Sequence, residues 1–389
     1  MSVTRSVTTP EDARWRRRLA EGSRGEPPLP PAEALAFADF ALNRVSRTFA
    51  LNIRILPARL RVPVLYAYLY CRMADTLEDD ALLPAAEKAR LLGAFSELFA
   101  VDRNEADSEA AFRAFPALLP PSWLGTEDWE KLLLEHAPVV LRAFPGFAGP
   151  VRAAIARCVT EMCAGMAEFS LRTAARFSEA RVDASKDSGE GPALIRTVEE
   201  LDRYCYFVAG TVGVMLCDLF IDYARIPAER AEKMRALCVS FGLGLQLTNI
   251  LKDRADDAAR GVSWLPPGVS VEALFAKTRG HLEEALEYTC LIPRLQRRLR
   301  LFCLWPLFMA AETLSLLAGR GGDEEATSSG MTNPGPRLKI SRARVARILL
   351  RTRLFYFSNA WLRAEFDRAA AGVPALPLPI PSSPDTFPS

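Results

Sequence analysis

Residues 68–80 read YLYCRMADTLEDD, an apolar stretch that ends in a cluster of acidic side chains. On a helix, Asp75, Glu78 and Asp79 stand at positions i, i+3 and i+4, so they share one face with Cβ atoms about 5–6 Å apart. Carboxylates crowded in this way repel one another, and a bound cation is the natural compensation. The simpler interpretation is the polar end of a helix that runs into a loop.

A second acidic cluster of the same spacing follows another apolar stretch. Residues 246–257 read QLTNILKDRADD, where Asp253, Asp256 and Asp257 again stand at i, i+3 and i+4, and Asn249 precedes them by one turn. Two such clusters at the ends of apolar helices predict a pair of facing carboxylate sites. Magnesium prefers oxygen ligands and bridges to phosphate oxygens, so we expect a diphosphate ligand with an apolar remainder.

Basic side chains are needed to bind and withdraw a diphosphate. Arg47 lies in the segment Ser46-Arg47-Thr48, and Arg72 and Lys252 lie beside the two acidic clusters. Each of these residues could serve this purpose, although each could equally be an ordinary surface or helix-end charge.

The composition excludes several other classes of site. The 389 residues carry a formal net charge of only +2, which argues against a nucleic-acid partner. The chain has only two histidines, which argues against a His-based zinc site and against a His-centred triad. Any bound metal must therefore be held mainly by carboxylates. The eight cysteines form no CxxC pair, which predicts buried, reduced thiols in a cytoplasmic protein.

Helical periodicity dominates the chain, and it predicts one large all-α domain. Residues 1–34 are expected to form a flexible basic segment; its RWRRR run at 14–18 is either solvated or a contact for an anionic membrane surface. Residues 372–389, rich in Pro and Ser, are expected to be a disordered tail, and 185–192 and 319–336 exposed loops. Outside the Pro-rich stretches, the longest uncharged runs, at 204–217 and 238–251, have 14 residues each. They are shorter than the about 20 residues of a membrane span, which predicts buried core helices.

Several motifs together resemble the squalene/phytoene synthase family. They are SRTF (46–49), the two acidic motifs, RGVSWLP (260–266), GMAEF (165–169), YCYFVAGTVG (204–213), FCLWPLFMAAETL (302–314) and LKISR (338–342). The matches run from about residue 35 to 345, and the DTLEDD form is closer to the squalene synthase branch. The resemblance implies an all-α, single-domain isoprenoid synthase helical bundle with a central active-site cavity, which we assign to residues 35–371.

The resemblance also implies a two-step reaction. Two farnesyl diphosphates are joined head to head to give presqualene diphosphate, and NADPH then reduces it, with rearrangement, to squalene. Tyr204 matches a family tyrosine proposed to take part in proton transfer. Magnesium assists loss of diphosphate, and six carboxylates are the implied ligands: Asp75, Glu78, Asp79, Asp253, Asp256 and Asp257.

Further binding residues follow from the same resemblance. The implied substrate-binding residues are Ser46, Arg47, Phe49, Arg72, Gln246, Asn249 and Phe302, and aromatic walls for a carbocation are expected from Phe49, Phe207, Phe302 and Trp305. The residues implied for diphosphate or NADPH binding are Lys252, Arg260, Lys339 and Arg342.

The sequence departs from the family pattern at three basic positions. Val262 stands where relatives often have a second arginine, Lys252 replaces a frequent arginine, and Ser341 falls where a basic residue is common. The reductive step therefore has less support than the condensation. A synthase that stops at presqualene diphosphate, or makes dehydrosqualene or phytoene without a reductant, is the alternative; a non-catalytic assembly or chaperone subunit is a third hypothesis.

Partners and location follow as expectations. The C-terminal membrane anchor of many eukaryotic relatives has no counterpart here, so we expect a cytoplasmic protein that is soluble or held peripherally at a membrane. We expect farnesyl diphosphate as the substrate, no nucleic-acid partner, and a monomer or weak homodimer.

Overall fold

The computed structural model describes residues 9–22, 29–46, 49–182, 194–259, 262–324 and 340–375. Every regular element within these ranges is helical, which confirms the predicted all-α fold. The α-helices are α1 (Pro10–Gly22), α2 (Pro31–Val45), α3 (Phe49–Ile55), α4 (Ala58–Asp79), α5 (Ala85–Glu97), α6 (Glu105–Ala114), α7 (Trp129–Glu135), α8 (Ala137–Leu141), α9 (Gly149–Val182), α10 (Val198–Cys205), α11 (Thr211–Ala224), α12 (Ala228–Ala259), α13 (Val271–Leu291), α14 (Arg297–Glu324), α15 (Arg342–Phe355) and α16 (Asn359–Ala369).

The long helices pack around a shared apolar core. Helix α12 packs against α11, α13 and α14, while α9 packs against α4, α5 and α11. Helix α12 closely approaches the turn that precedes α11 at Gly242, where an added Cβ would lie 2.3 Å from the carbonyl oxygen of Ala209. Only glycine therefore allows this approach, which brings the two apolar helices together beside α9.

A π-helical turn, Tyr206–Gly210, separates α10 from α11. Such turns insert one residue into a helix and are often found at functional sites. Here the turn begins two residues after Tyr204, and Phe207 within it packs on Gly165 of α9, where no side chain larger than hydrogen fits.

The basic N-terminal segment differs from its prediction between residues 10 and 22, which form α1. Trp15 and Leu19, four residues apart, are buried, and the Trp15 ring centroid lies 5.4 Å from that of Phe37. These two side chains give α1 an apolar stripe among arginines, and the stripe holds it on α2. Arg16 donates hydrogen bonds to the carbonyl oxygens of residues 126 and 127, so its charge is used within the protein.

Three helical segments are long and apolar enough to cross a membrane, which the lengths of uncharged runs did not predict. They are Val198–Ala224, Ala228–Ala259 and Arg297–Gly319. Between 56% and 61% of the residues in each apolar window are buried inside the structure. Their apolar character is therefore largely used in protein packing, as predicted for core helices.

Other expectations meet the structure only in part. All eight cysteines are unpaired and seven are buried, as predicted. Helix α14 continues to Glu324, into the stretch 319–336 that was predicted as a loop. The predicted loop at 185–192 and most of the tail at 372–389 lie outside the described residues, as do Arg47, Arg260 and Lys339.

Candidate active site

The first acidic motif lies at the C-terminal end of α4. Asp75, Glu78 and Asp79 occupy its last turn and a half, as their spacing predicts. Asp80 lies just beyond the helix and pairs with Lys131, with 2.8 Å between Nζ and Oδ2. Asp80 is therefore occupied by an ion pair at the helix end. The three preceding carboxylates remain as the predicted metal ligands.

Two of these carboxylates hold protons more tightly than usual. Burial raises the pKa of Asp75 to about 7, and the neighbouring Asp79 adds to the increase while Arg72 opposes it. Burial and Asp79 likewise raise the pKa of Glu78 to about 8. The Asp75 side chain is still 33% exposed. A cation can therefore reach it, and a cation would relieve the repulsion.

Arg72 connects the acidic motif to α7. Its Nη1 lies 3.6 Å from Oδ2 of Asp75, and its Nε donates to Oε1 of Glu130 at 3.2 Å. Burial lowers the pKa of Arg72. The hydrogen bond to Glu130 and the charge of Asp75 outweigh this effect, so the pKa is raised overall. Glu130 was not predicted, because no local spacing relates it to residue 72.

Ser46 and Phe49 lie beside Tyr68, on the same face of α4. Tyr68 precedes Arg72 and Asp75 by one and two turns, and burial raises the pKa of its hydroxyl while the neighbouring Ser46 lowers it. The ring of Phe49 lies 5.9 Å from the ring of Tyr68. The predicted residues Ser46, Phe49, Arg72 and Asp75 are thus neighbours. Tyr68 itself was missed, although its i, i+4, i+7 spacing with the other two was a usable signal.

Tyr204 lies in a cavity of about 290 Å³ that also reaches the first acidic motif. Its ring stacks on Trp264, with centroids 4.4 Å apart, and Phe169 meets it edge-on at 5.3 Å. Burial raises the pKa of Tyr204 well above its usual value, and the charges of Glu78 and Asp79 add to this. The phenol therefore stays protonated beside the carboxylates. The cavity lining includes Glu78, Lys88, Phe169, Phe177, Leu194, Tyr204 and Trp264.

Two ion-pair sets anchor helix α10 and so position Tyr204. Glu200 accepts hydrogen bonds from Arg172 and Arg176 of α9, and these overcome its burial to lower its pKa to about 2. Asp202 pairs with Lys277 of α13 at 2.8 Å, with both side chains buried. The helix is therefore tied to α9 and α13 by buried or half-buried charges, which the sequence analysis did not identify.

The second acidic motif lies at the C-terminal end of α12. Asp257 is buried and its carbonyl oxygen accepts a hydrogen bond from the Val262 amide at 3.0 Å. Asp253 is about half exposed, and Nζ of Lys252 lies 3.4 Å from its Oδ2 and 3.1 Å from Oδ1 of Asn249. The chain then passes through Val262 to Trp264, which lines the cavity. The second motif thus reaches the cavity through the segment that follows it.

Other predicted residues are placed away from this cavity lining. Phe302 is buried against Phe220, and Trp305 is fully buried with its Nε1 donating to Thr352 Oγ1 at 3.1 Å. Both belong to the core, because they lie on the inward face of α14. Gln246 is half-buried on α12, and Arg342 is exposed at the start of α15. Phe207 is buried 6.4 Å from Phe169 and so lies close behind the lining.

The donor chemistry of the acidic motifs suits a hard cation, since all six predicted ligands are carboxylates. In the ranges that the structure describes, no three His, Cys, Asp or Glu side chains converge as a complete metal site. Burial, and after it the repulsion between like charges on one helix face, raises the pKa values of Asp75 and Glu78. The assignment of the six ligands stays a prediction.

A larger cavity, of about 650 Å³, lies between α13 and α16. Its lining includes Arg279 and Glu283, which pair along α13, and Glu287 and Arg363, which pair between α13 and α16. None of the predicted site residues lines it. We therefore take the smaller cavity, which holds an acidic motif residue and Tyr204, as the candidate active site.

Comparison with known families agrees with the motifs. The squalene/phytoene synthase family profile matches residues 42–270, which include both acidic motifs, Tyr204 and Trp264. The chain belongs to this family. Squalene synthase 1 of Arabidopsis thaliana is 30% identical over 234 residues, which cover 60% of this chain and 47% of the relative. Squalene synthase of Eremothecium gossypii is 27% identical over 336 residues, covering 81% of this chain and 67% of the relative.

Solved structures share the fold of this family member. A structure of TcSQS in complex with the ligand E5700 has a TM-score of 0.62 and 24% sequence identity, covering 88% of this chain and 96% of that one. A second TcSQS complex, with BPH1237, has a TM-score of 0.61. The chain is therefore an all-α isoprenoid synthase by fold. It spans about half the length of the plant relative that it matches.

Proposed function

We propose that this protein joins two farnesyl diphosphates head to head to form presqualene diphosphate, and then reduces that intermediate to squalene with NADPH. The observation that carries the proposal is the shared cavity of Glu78, Tyr204 and Trp264, in which an acidic motif meets an aromatic wall. Such a site combines a charged end for a diphosphate with an apolar end for an isoprenoid chain.

The charged end would hold the leaving diphosphate. The carboxylates of Asp75, Glu78, Asp79 and of the second motif would bind magnesium, which neutralises charge that develops on a departing diphosphate. Arg72, fixed between Asp75 and Glu130, would add a positive charge whose position does not depend on the metal. Lys88, on the cavity lining, is a second cation near the same end.

The aromatic end would protect an allylic carbocation. Loss of diphosphate leaves a cation that reacts with water unless water is excluded, and the buried rings of Phe169 and Tyr204 exclude it here. The face of an aromatic ring also attracts a cation by about 0.5–2 kcal/mol. Trp264 stacks on Tyr204 and therefore fixes the orientation of that ring.

Tyr204 would act as a proton relay when the cyclopropane closes. Its pKa is raised, so it holds its proton and can accept another only by passing its own to an acceptor. The released diphosphate has suitable chemistry as that acceptor. The anchored Glu200 and Asp202 keep α10, and so the hydroxyl, in place.

The non-reductive synthase is the second candidate, and a specific observation favours it. Val262 replaces a frequent basic residue and donates its amide to Asp257, so this position supplies no charge for a nicotinamide cofactor. The proposed NADPH residues Lys252 and Arg342 are both exposed, on α12 and α15. The unpaired, mostly buried cysteines suit the reducing cytoplasm, where we place the enzyme.

A product assay tests the proposal. Purified protein is incubated with farnesyl diphosphate and magnesium, with and without NADPH, and the organic extract is analysed by mass spectrometry. Squalene only in the presence of NADPH supports the full reaction. Presqualene diphosphate, dehydrosqualene or phytoene regardless of NADPH supports the second candidate. No product, together with no stabilisation by farnesyl diphosphate and magnesium, supports a non-catalytic subunit.

A further inference from the structure

The C-terminal helices carry an unusual concentration of exposed apolar side chains. Of the eleven exposed large apolar side chains among the described residues, five lie on α15, on the turn after it, or on the turn between α13 and α14. Leu295 is 96% exposed and Leu350 is 60% exposed. Exposed apolar groups of this size are costly in water unless another surface covers them. The five are Leu295, Leu350, Leu354, Phe355 and Phe357.

The two segments form one continuous surface. The guanidinium carbon of Arg297 lies 5.6 Å from the ring centroid of Tyr356, which stands between Phe355 and Phe357. Asn359 donates to the carbonyl oxygen of Cys290 at 3.3 Å. The turn that presents Leu295 is therefore held beside the end of α15, and we name the surface formed by residues 294–298 and 347–357 the C-terminal basic surface.

This surface is positively charged. Residues 288–311 and 340–364 contain no Asp or Glu, whereas arginine recurs throughout both. The acidic residues that flank the two segments are already paired: Glu287 with Arg363, Glu312 with Arg344, and Glu365 with Arg351. Arg294, Arg298 and Arg347 are exposed and have no ion pair to a described residue. Their charge is therefore available to a partner.

We propose that the C-terminal basic surface docks the protein on an anionic lipid bilayer. On α15, Arg347, Leu350 and Leu354 stand at i, i+3 and i+7, so arginine and leucine point the same way. Helices that lie in the headgroup region of membranes combine arginine with leucine and phenylalanine. The C-terminal basic surface has this composition and contains no acidic residue. A partner that offers only acidic groups would match the arginines but would leave the exposed leucines and phenylalanines without apolar contact.

The proposal does not depend on the catalytic proposal, and vesicle flotation tests it. The full-length protein is mixed with vesicles of phosphatidylcholine alone or of phosphatidylcholine and phosphatidylglycerol in equal parts, at low and at high salt. We expect flotation with the anionic vesicles only, and less of it at high salt, since salt screens the arginines.

Two variants separate the apolar from the charged contribution. Leu350→Gln combined with Leu354→Gln, which leaves the charge unchanged, should abolish flotation, and Arg294→Glu combined with Arg347→Glu should weaken it more than about tenfold. Matched controls are Leu124→Gln, a leucine elsewhere that is 46% exposed, and Arg59→Glu on α4, which should both float like the wild type. Thermal melts followed by circular dichroism verify that every variant is folded.

Three outcomes would overturn the proposal. One is a wild-type protein that floats with neither kind of vesicle. Another is flotation that persists in both double variants, which would place the lipid contact elsewhere. The third is a lipid-free dimer in sedimentation velocity that the leucine variant converts to monomer, because the surface would then be an interface between two copies of this chain.

Discussion

Tyr204 of α10 stacks on Trp264, with ring centroids 4.4 Å apart and an interplanar angle of 29°. This contact joins two parts of the chain that are 60 residues apart and whose motifs were found separately. Trp264 follows the second acidic motif, and Tyr204 shares a cavity with Glu78 of the first. The stack is therefore the direct structural connection between the two motifs and the residue proposed to transfer a proton.

Tyr204→Phe should remove the proton relay and leave the stack intact. We expect turnover of farnesyl diphosphate to fall by about 10²- to 10⁴-fold, the usual contribution of a positioned acid or base. The melting temperature should stay close to that of the wild type, because the ring and its contacts with Trp264 and Phe169 are retained. Turnover is measured as diphosphate release. Activity within a factor of two of the wild type would exclude a role for the hydroxyl.

The raised pKa values of the first motif predict a pH-dependent stability in metal-free protein. The pKa of Asp75 rises from 3.8 to about 7 on folding, and that of Glu78 from 4.5 to about 8. Both groups therefore bind protons more tightly when folded, so stability should decrease as pH increases from about 4 to about 8. Melting temperatures in EDTA across this range measure the effect.

Asp75→Asn provides the matched test of that pH dependence. The variant cannot ionise at position 75, so its melting temperature should fall less between pH 4 and pH 8, and at pH 8 it should equal or exceed that of the wild type. The same variant should nearly abolish condensation, as should Asp253→Asn. An unchanged pH slope would mean that Asp75 is not the group responsible, and full activity in both variants would contradict the site assignment.

Magnesium should stabilise the protein more at high pH than at low pH. A metal must displace the protons that Asp75 and Glu78 retain up to pH 7–8, so binding releases protons. Differential scanning fluorimetry with magnesium and inorganic diphosphate, compared with EDTA, should show a larger shift at pH 8 than at pH 6. The Asp75→Asn protein should lose most of this shift. A shift that is equal at both pH values would place the metal on other ligands.

Gly242→Ala should destabilise the fold. Its Cβ would lie 2.3 Å from the carbonyl oxygen of Ala209, a backbone atom that cannot move without shifting α12 from the π-helical turn. We expect a loss of about 1–3 kcal/mol in the free energy of unfolding. Gly93→Ala on α5, where no heavy atom lies within 4 Å of the added Cβ, should instead gain up to about 1 kcal/mol. Urea titrations followed by circular dichroism compare them, and equal effects would contradict the close approach.

The sequence by itself determined the all-α class, the helical placement of both acidic motifs and the family, because helical periodicity and the i, i+3, i+4 spacing are local properties of the chain. It also identified Ser46, Phe49, Arg72 and Asp75, which the structure then brought together on one side of α4. The composition of residues 1–34 predicted a flexible segment, whereas residues 10–22 form α1. Only its contact with α2 makes the burial of Trp15 and Leu19 possible.

Tertiary structure alone decided which residues surround Tyr204 and the first motif. Glu130 reaches Arg72 from a different helix, Glu200 depends on two arginines of α9, and Trp264 meets Tyr204 across 60 residues of chain. Tertiary structure also placed Phe302 and Trp305 in the core rather than on the cavity wall. These partners are set by how helices pack, and packing joins side chains whose separation along the chain carries no periodic signal.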